Sequence, residues 1–198
     1  MAYPDFTFAK LKSIYSIQQD YQHLFADNLI IQPTQRLTED IADGLQMQIM
    51  SEKAKSEFLI APIIKEMQRK HPEITFFSGI VFNIEGDKLL TGTPDFMISA
   101  KPRRAEIESP IFCLLEAKNG IIEEGFAQCS AEMYAARLFN QQMGDPYETI
   151  YGAVTNAFDW VFLKLEGNIV YVDIDRYYLN ELPKILGILQ YIIDVAKK

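Results

Sequence analysis

The decapeptide IFCLLEAKNG, residues 111–120, decides how the rest of the chain is read. Five apolar residues open it, as in a strand buried on both faces. Glu116 and Lys118 follow, two apart, just before the Asn119-Gly120 break. Side chains alternate faces along a strand, so this acid and this base point the same way. The pair therefore sits on one face at the end of a buried strand, where an unpartnered charge is costly.

Working upstream, ITFFSGIVFNIEG (74–86) and KLLTGTPDFMISA (88–100) are rich in β-branched and aromatic residues and read as two strands around a Glu85-Gly86-Asp87 turn. Gly92 and Pro94 mark an irregular point in the second. AKPRRAEIES (100–109) is a polar loop leading into the strand at 111. Before them, SEKAKSEFLIAPIIKEMQRK (51–70) has helical periodicity with Pro62 inside it, which implies a kink. Thr38 is the expected N-cap for TEDIADGLQMQIM, and LKSIYSIQQDYQHLF (11–25) reads as one helix. Downstream, IIEEGFAQCSAEMYAARLFNQQMG (121–144) is a helix with acids at its start and Gly144 at its end. Short strands at 149–157, 160–167 and 168–174 follow, with Gly167-Asn168 as a hairpin turn, and an amphipathic helix closes the chain. This order predicts an α/β domain with a central mixed sheet flanked by helices, and a crossover between the strands at 111 and 149.

The bulk numbers agree. The chain has 198 residues, 48% hydrophobic and 23% charged, enough for one domain with a real core. No apolar run approaches a membrane span, and MAYPDFTFAK lacks the basic start and apolar core of a signal peptide, so the expected setting is the cytoplasm, with no membrane partner. Cys113 and Cys129 form no CxxC and have no His at zinc spacing, which argues against a zinc site or disulfide framework. The net charge of −8 does not attract phosphate backbones. Any nucleic-acid function needs a local basic patch or bound cations.

The candidate chemistry lies on the two strands before the crossover. If they pair as a hairpin, Asp95 and Glu116 meet on one face near one end. Two close carboxylates repel unless one is protonated or a cation lies between them, and such oxygen ligands suit Mg2+ or Mn2+. Lys118 on the same face could polarise a water or stabilise developing negative charge. At 100° per residue, Glu57 falls within the apolar stripe of Ala54, Ile60, Ala61, Ile64 and Met67 and is expected to face the sheet. Gln128 shares a helix face with Ala131, Ala135 and Phe139 and could bond a phosphate, a water or another site residue. Each has a plainer reading: Asp95 as a turn residue after Pro94, Glu116 and Lys118 as a strand-end pair reaching water, Glu57 as a boundary residue, Gln128 as a satisfied polar group at a helix–sheet contact. Two basic groups could meet phosphate. One is Lys101, Arg103 and Arg104 in the loop between the site strands. The other is Lys65, Arg69, Lys70 and His71, which more simply compensates a helix C-terminus. Trp160 reads as core, and neither His23 nor His71 has a partner at ligand spacing.

TPDF followed by a strand ending in EAK resembles the PD-(D/E)xK nuclease superfamily, the restriction-endonuclease-like fold. The likeness covers roughly residues 51–165. YGAVTNAFDWVFLKLEG is similar to the region after the core in the nuclease part of type I restriction subunits. The resemblance implies a nuclease-like core at 51–165 within a single domain, a helical extension over 1–50 and a C-terminal strand and helix over 166–198. It further implies Mg2+-dependent endonuclease cleavage of DNA, with Asp95, Glu116 and Glu57 as metal ligands and Lys118 as the catalytic lysine. Many members carry Gln and Tyr four apart on the last helix; here Gln128 is followed by Glu132. Two alternatives stand beside it: a silent or partner-dependent binding subunit on the same fold, and a hydrolase with another substrate. A homodimer is also compatible, since cutting both strands calls for two sites.

Overall fold

The structure, a computed structural model, describes residues 2–26, 29–102 and 106–197. Thr7 caps the first helix, α1 (Phe8–Tyr15), by accepting from the Lys10 amide. Ser16 ends it in the left-handed region at φ 59. The expected single helix over 11–25 therefore stops there, and Gln18–Gln22 forms a strand, β1. Thr34, not Thr38, caps α2 (Gln35–Gly44), accepting from the Leu37 amide; Thr38 lies inside the first turn and its hydroxyl donates to the Thr34 carbonyl. Ser51 caps a longer helical run: α3 (Glu52–Lys55), a π turn (Ser56–Ile60) and α4 (Ala61–Lys70). Pro62 lacks the N–H that the Phe58 carbonyl would receive in an α-helix. The chain widens instead, and the Ala61 amide reaches back five residues to the Ser56 carbonyl. One extra residue in the turn offsets the faces before and after it by about 100°.

The strands that follow are β2 (Thr75–Ser78), β3 (Phe96–Ser99) and β4 (Ile111–Ala117). Then come α5 (Phe126–Gln142), β5 (Thr149–Thr155), β6 (Asp159–Glu166), β7 (Ile169–Asp173), β8 (Tyr177–Tyr178) and α6 (Leu182–Ala196). β2 and β3 are shorter than expected. The apolar residues between them, Phe82, Ile84 and Leu90, are buried as a loop beneath the N-terminus rather than as strand. Tyr3 pins that loop, its amide donating to the Thr91 carbonyl and its hydroxyl to the Phe82 carbonyl.

The sheet runs β1-β7-β6-β5-β4-β3-β2, with β8 also against β6. β4 and β5 are parallel, as are β1 and β7; the other pairs are antiparallel. The fold is thus α/β, an eight-stranded mixed sheet flanked by helices. α2, α4 and α6 cover one face and α5 with the N-terminal segment covers the other, each over its own apolar core. Cys113 and Cys129 are buried free thiols, and Trp160, read as core, is fully buried. No helix among the described residues is long and apolar enough to cross a membrane.

α5 is the crossover between β4 and β5, and its position along β4 is fixed at one point. The buried Asn140 side chain accepts from the Ile111 amide and donates to the Ile111 carbonyl, both at 2.7 Å. β5 lets the helix come close: a Cβ on Gly152 would lie 2.6 Å from Met133 Sδ and 2.8 Å from Cys129 Sγ.

Candidate metal and catalytic site

The register between β3 and β4 pairs Phe96 with Leu115. One residue further along an antiparallel ladder, Asp95 stands opposite Glu116. Asp95 Oδ2 accepts from the Ala117 amide at 2.7 Å, which holds its carboxylate against the end of β4. Glu116 and Lys118 alternate with Leu115 and Ala117 and so face α5. From the Asn140 clamp, α5 runs back over β4 in the opposite direction. Twelve helical residues, from Asn140 to Gln128, span about 18 Å. Five strand residues, from Ile111 to Glu116, span about 17 Å. The match brings Gln128 to Glu116.

The side chains form one connected group. Lys118 Nζ donates to Glu116 Oε1 at 2.7 Å and to Gln128 Oε1 at 2.8 Å. Gln128 Nε2 donates to Glu116 Oε1 at 2.5 Å and to Glu132 Oε1 at 3.1 Å. Gly125 makes room for this: a Cβ there would press on the Lys118 side chain, 3.0 Å from Cε, and lie 2.6 Å from Val154 Cγ1. Glu116 Oε2 and Glu132 Oε2 are buried and have no hydrogen-bond partner among the described residues.

Acid outnumbers base here, and the proton affinities follow. Burial, then the Asp95 charge, push Glu116 up to about 7, against the opposing pull of Lys118. Burial raises Asp95 too, opposed by its Ala117 hydrogen bond and reinforced by Glu52. Glu132, fully enclosed, is driven well above the usual carboxylate range by burial and then by Glu116. Burial works against the Lys118 ammonium, but Glu116, Glu52 and Asp95 together outweigh it and raise its pKa. Lys118 is therefore a cation near neutral pH.

Asp95, Glu116, Lys118 and Gln128 come together as the sequence suggested. Glu57 does not: its side chain is 55% exposed and lies 3.8 Å from Lys53. The expectation assumed an unbroken 100° step, and the π turn breaks it. The helix-borne acid whose charge reaches Asp95, Glu116 and Lys118 is Glu52, one turn earlier. Lys101 is also misplaced. It follows β3 at Ser99, whereas Asp95 precedes β3, so Lys101 lies at the opposite end of the strands from the site. Arg103 and Arg104 lie outside the described residues. In the second basic group, Arg69 and Lys70 pair with the buried Glu66, and His71 meets Gln190.

Glu132 was legible in principle, because Gln128 and Glu132 are four apart and share a helix face. His23, Asp173 and Asp175 were not. They are 150 residues apart in sequence, and the parallel pairing of β1 with β7 brings them together. Among the described residues they are the one group of three or more His, Cys, Asp or Glu side chains whose ligand atoms all lie within 4.8 Å of one another. The Asp173 oxygens are already bonded to the Leu24 and Asp175 amides and to the Tyr177 hydroxyl, so the group serves as a loop clamp. Among the described residues no third His, Cys, Asp or Glu joins Asp95 and Glu116 in such a group. Their donor set fits a Mg2+-like ion all the same. Such an ion is commonly held by one or two carboxylates and completed by water and substrate phosphate, and Glu116 Oε2 is a buried carboxylate oxygen with no other partner.

No protein-family model matches the chain, and no curated protein matches it.

Proposed function

We propose that the chain is a Mg2+- or Mn2+-dependent DNA nuclease with a restriction-endonuclease-like, PD-(D/E)xK-type core. The observation that carries this reading is the convergence of Asp95, Glu116 and Lys118 at one end of the sheet, where Glu116 Oε2 is buried with no hydrogen-bond partner among the described residues. Asp95 and Glu116 are the residues that would hold the cation. A divalent ion supplies charge neutralisation on phosphate oxygens and a water of lowered pKa. Lys118, kept protonated by its acidic neighbours, presents an ammonium to the negative charge that grows on the phosphoryl oxygens. Gln128 grips both Glu116 and Lys118 and so limits their rotation. A cytoplasmic setting suits a DNA substrate.

The test is cleavage of supercoiled, linear and single-stranded DNA with Mg2+ or Mn2+. Wild type cuts at least one form, while Asp95→Ala and Lys118→Ala cut none and keep the wild-type circular dichroism. Purified wild type that cuts no DNA form with either ion removes the self-sufficient enzyme. One observation supports a partner-dependent version of the same reading: the chain is strongly acidic and Lys101 lies at the far end of the strands, so DNA contacts would come from a second protein.

A further inference from the structure

We propose that Glu132 is a positioning residue for the Asp95–Glu116 metal site, acting through the Gln128 amide; this rests on the nuclease reading above. An amide can present its oxygen or its NH2 to a given neighbour, and the two orientations differ in chemistry. Here two carboxyl oxygens, Glu116 Oε1 and Glu132 Oε1, take the two N–H groups, and the Lys118 ammonium takes the oxygen. Every hydrogen-bonding direction of the amide nitrogen is used, and only one orientation satisfies all three neighbours. Glu132 is the anchor on the side away from the strand. It sits one helical turn along α5, fully enclosed, with no charged group paired to it among the described residues.

A buried carboxyl with a vacant oxygen is an expensive way to hold one N–H bond. Leucine or methionine there would serve the core better, so stability does not account for it. Burial pushes its pKa well above the usual carboxylate range, with Glu116 adding to the effect. A neutral acid can accept the Gln128 N–H without adding a further negative charge beside Glu116. Oriented this way, Gln128 occupies Glu116 Oε1 together with Lys118 and leaves Oε2 as the free donor. Glu132 thus selects which Glu116 oxygen is offered to a cation.

Three readouts separate this from a structural role: thermal stability, Mn2+ affinity by calorimetry, and solvent-exchange protection of the Gln128 side-chain NH2 by NMR without metal. In Glu132→Met one Gln128 N–H loses its acceptor. Exchange protection falls, and Mn2+ affinity drops about 10- to 100-fold, the usual cost of removing an outer partner of a metal ligand. The melting temperature changes little, because the loss of an unpaired buried oxygen offsets the Gln128 N–H left without an acceptor. Glu132→Gln mimics the neutral acid and rescues both protection and affinity. Wild-type affinity and amide protection in Glu132→Met overturn the proposal. So does loss of affinity in Glu132→Gln equal to that in Glu132→Met, which would make the carboxylate charge the active feature. If Glu132→Met does not fold, the comparison of Glu132→Gln with wild type decides alone: retained protection supports the proposal and lost protection overturns it. If wild type binds no Mn2+, the nuclease reading fails, and the metal-free amide measurement still judges the role of Glu132.

Discussion

Glu66 and Glu116 are both carboxylates buried almost completely, 1% and 3% exposed, and the protein treats them in opposite ways. Glu66, on α4, receives the Thr34 hydroxyl at 3.0 Å and the Arg69 guanidinium at 2.9 Å, with Lys70 at 3.2 Å. Burial pushes its pKa up, but Arg69, Thr34 and Lys70 together bring it below the usual value. Glu116 receives one lysine and one amide, and it shares its surroundings with Asp95, Glu132 and Glu52. Its pKa rises to about 7. One carboxylate is compensated in the way a structural ion pair must be. Both keep one oxygen without a hydrogen bond, but Glu66 Oε1 has Lys70 3.2 Å away, whereas Glu116 is left with surplus negative charge, the condition of a group kept for binding. Burial alone does not mark a functional acid. The sign of its compensation does.

Under the nuclease reading the largest effects fall at Asp95 and Lys118. Lys118→Ala and Asp95→Ala are each expected to lower metal-dependent DNA cleavage at least about 100-fold, the scale set by losing one preorganised electrostatic partner. Steady-state cleavage of a labelled duplex measures it. Cleavage at the wild-type rate in either variant would place the chemistry elsewhere.

Next in size are two substitutions of opposite sign. The folded pKa of Glu116 lies above its unfolded value of 4.5, so its ionisation works against the fold. The cost begins as pH rises past 4.5 and is complete above about 7. Glu116→Gln removes it and should stabilise the metal-free protein at pH 8 by about 2–3 kcal/mol, and hardly at pH 4.5. Glu66 has a lowered folded pKa, so its contribution is present above 4.5 and is lost as pH falls through the folded pKa. Glu66→Gln should therefore destabilise at pH 8 by about 1–3 kcal/mol, less in acid. Urea titrations at the two pH values check both signs. Stabilisation by Glu66→Gln, or destabilisation by Glu116→Gln at pH 8, would undo the contrast. A smaller effect sharpens it. Mn2+ at ten times its Kd should raise wild-type stability at pH 8 by about 1.4 kcal/mol and leave Glu116→Gln unmoved.

How far the site was legible follows from range. Glu116, Lys118 and Asp95 declare themselves through strand alternation, which needs only neighbours two apart, and through a hairpin register that the short β3–β4 pairing preserves. The β4–α5–β5 crossover was legible for the same reason, since β4 and α5 carry strong local periodicity. Local sequence misleads where a distant residue decides a local form. β1 is a strand because β7 pairs with it from the other end of the chain. Residues 79–95 form a loop that Tyr3 holds by the Phe82 and Thr91 carbonyls, although their apolar content looks like strand. The clamp of His23 with Asp173 and Asp175 has no sequence spacing at all. Glu57 is a different case: the cause is local, because Pro62 implies a kink, but a π turn changes phase as well as direction.

That phase change yields the smallest and sharpest test. Glu57→Ala removes an exposed side chain with one distant ion-pair partner, so stability should shift by no more than about 0.5 kcal/mol. Its Mn2+ affinity should equal wild type, because the π turn has carried the side chain away from the sheet. Glu52→Gln removes the charge that acts on Asp95, Glu116 and Lys118. It should weaken Mn2+ binding modestly and ease ionisation of Glu116, shifting the stability profile of the metal-free protein to lower pH. Titrating the two variants side by side by calorimetry ranks the two acids directly. If Glu57→Ala proves the weaker binder, the helix presents its 57 face to the site, and the offset assigned to Pro62 is wrong.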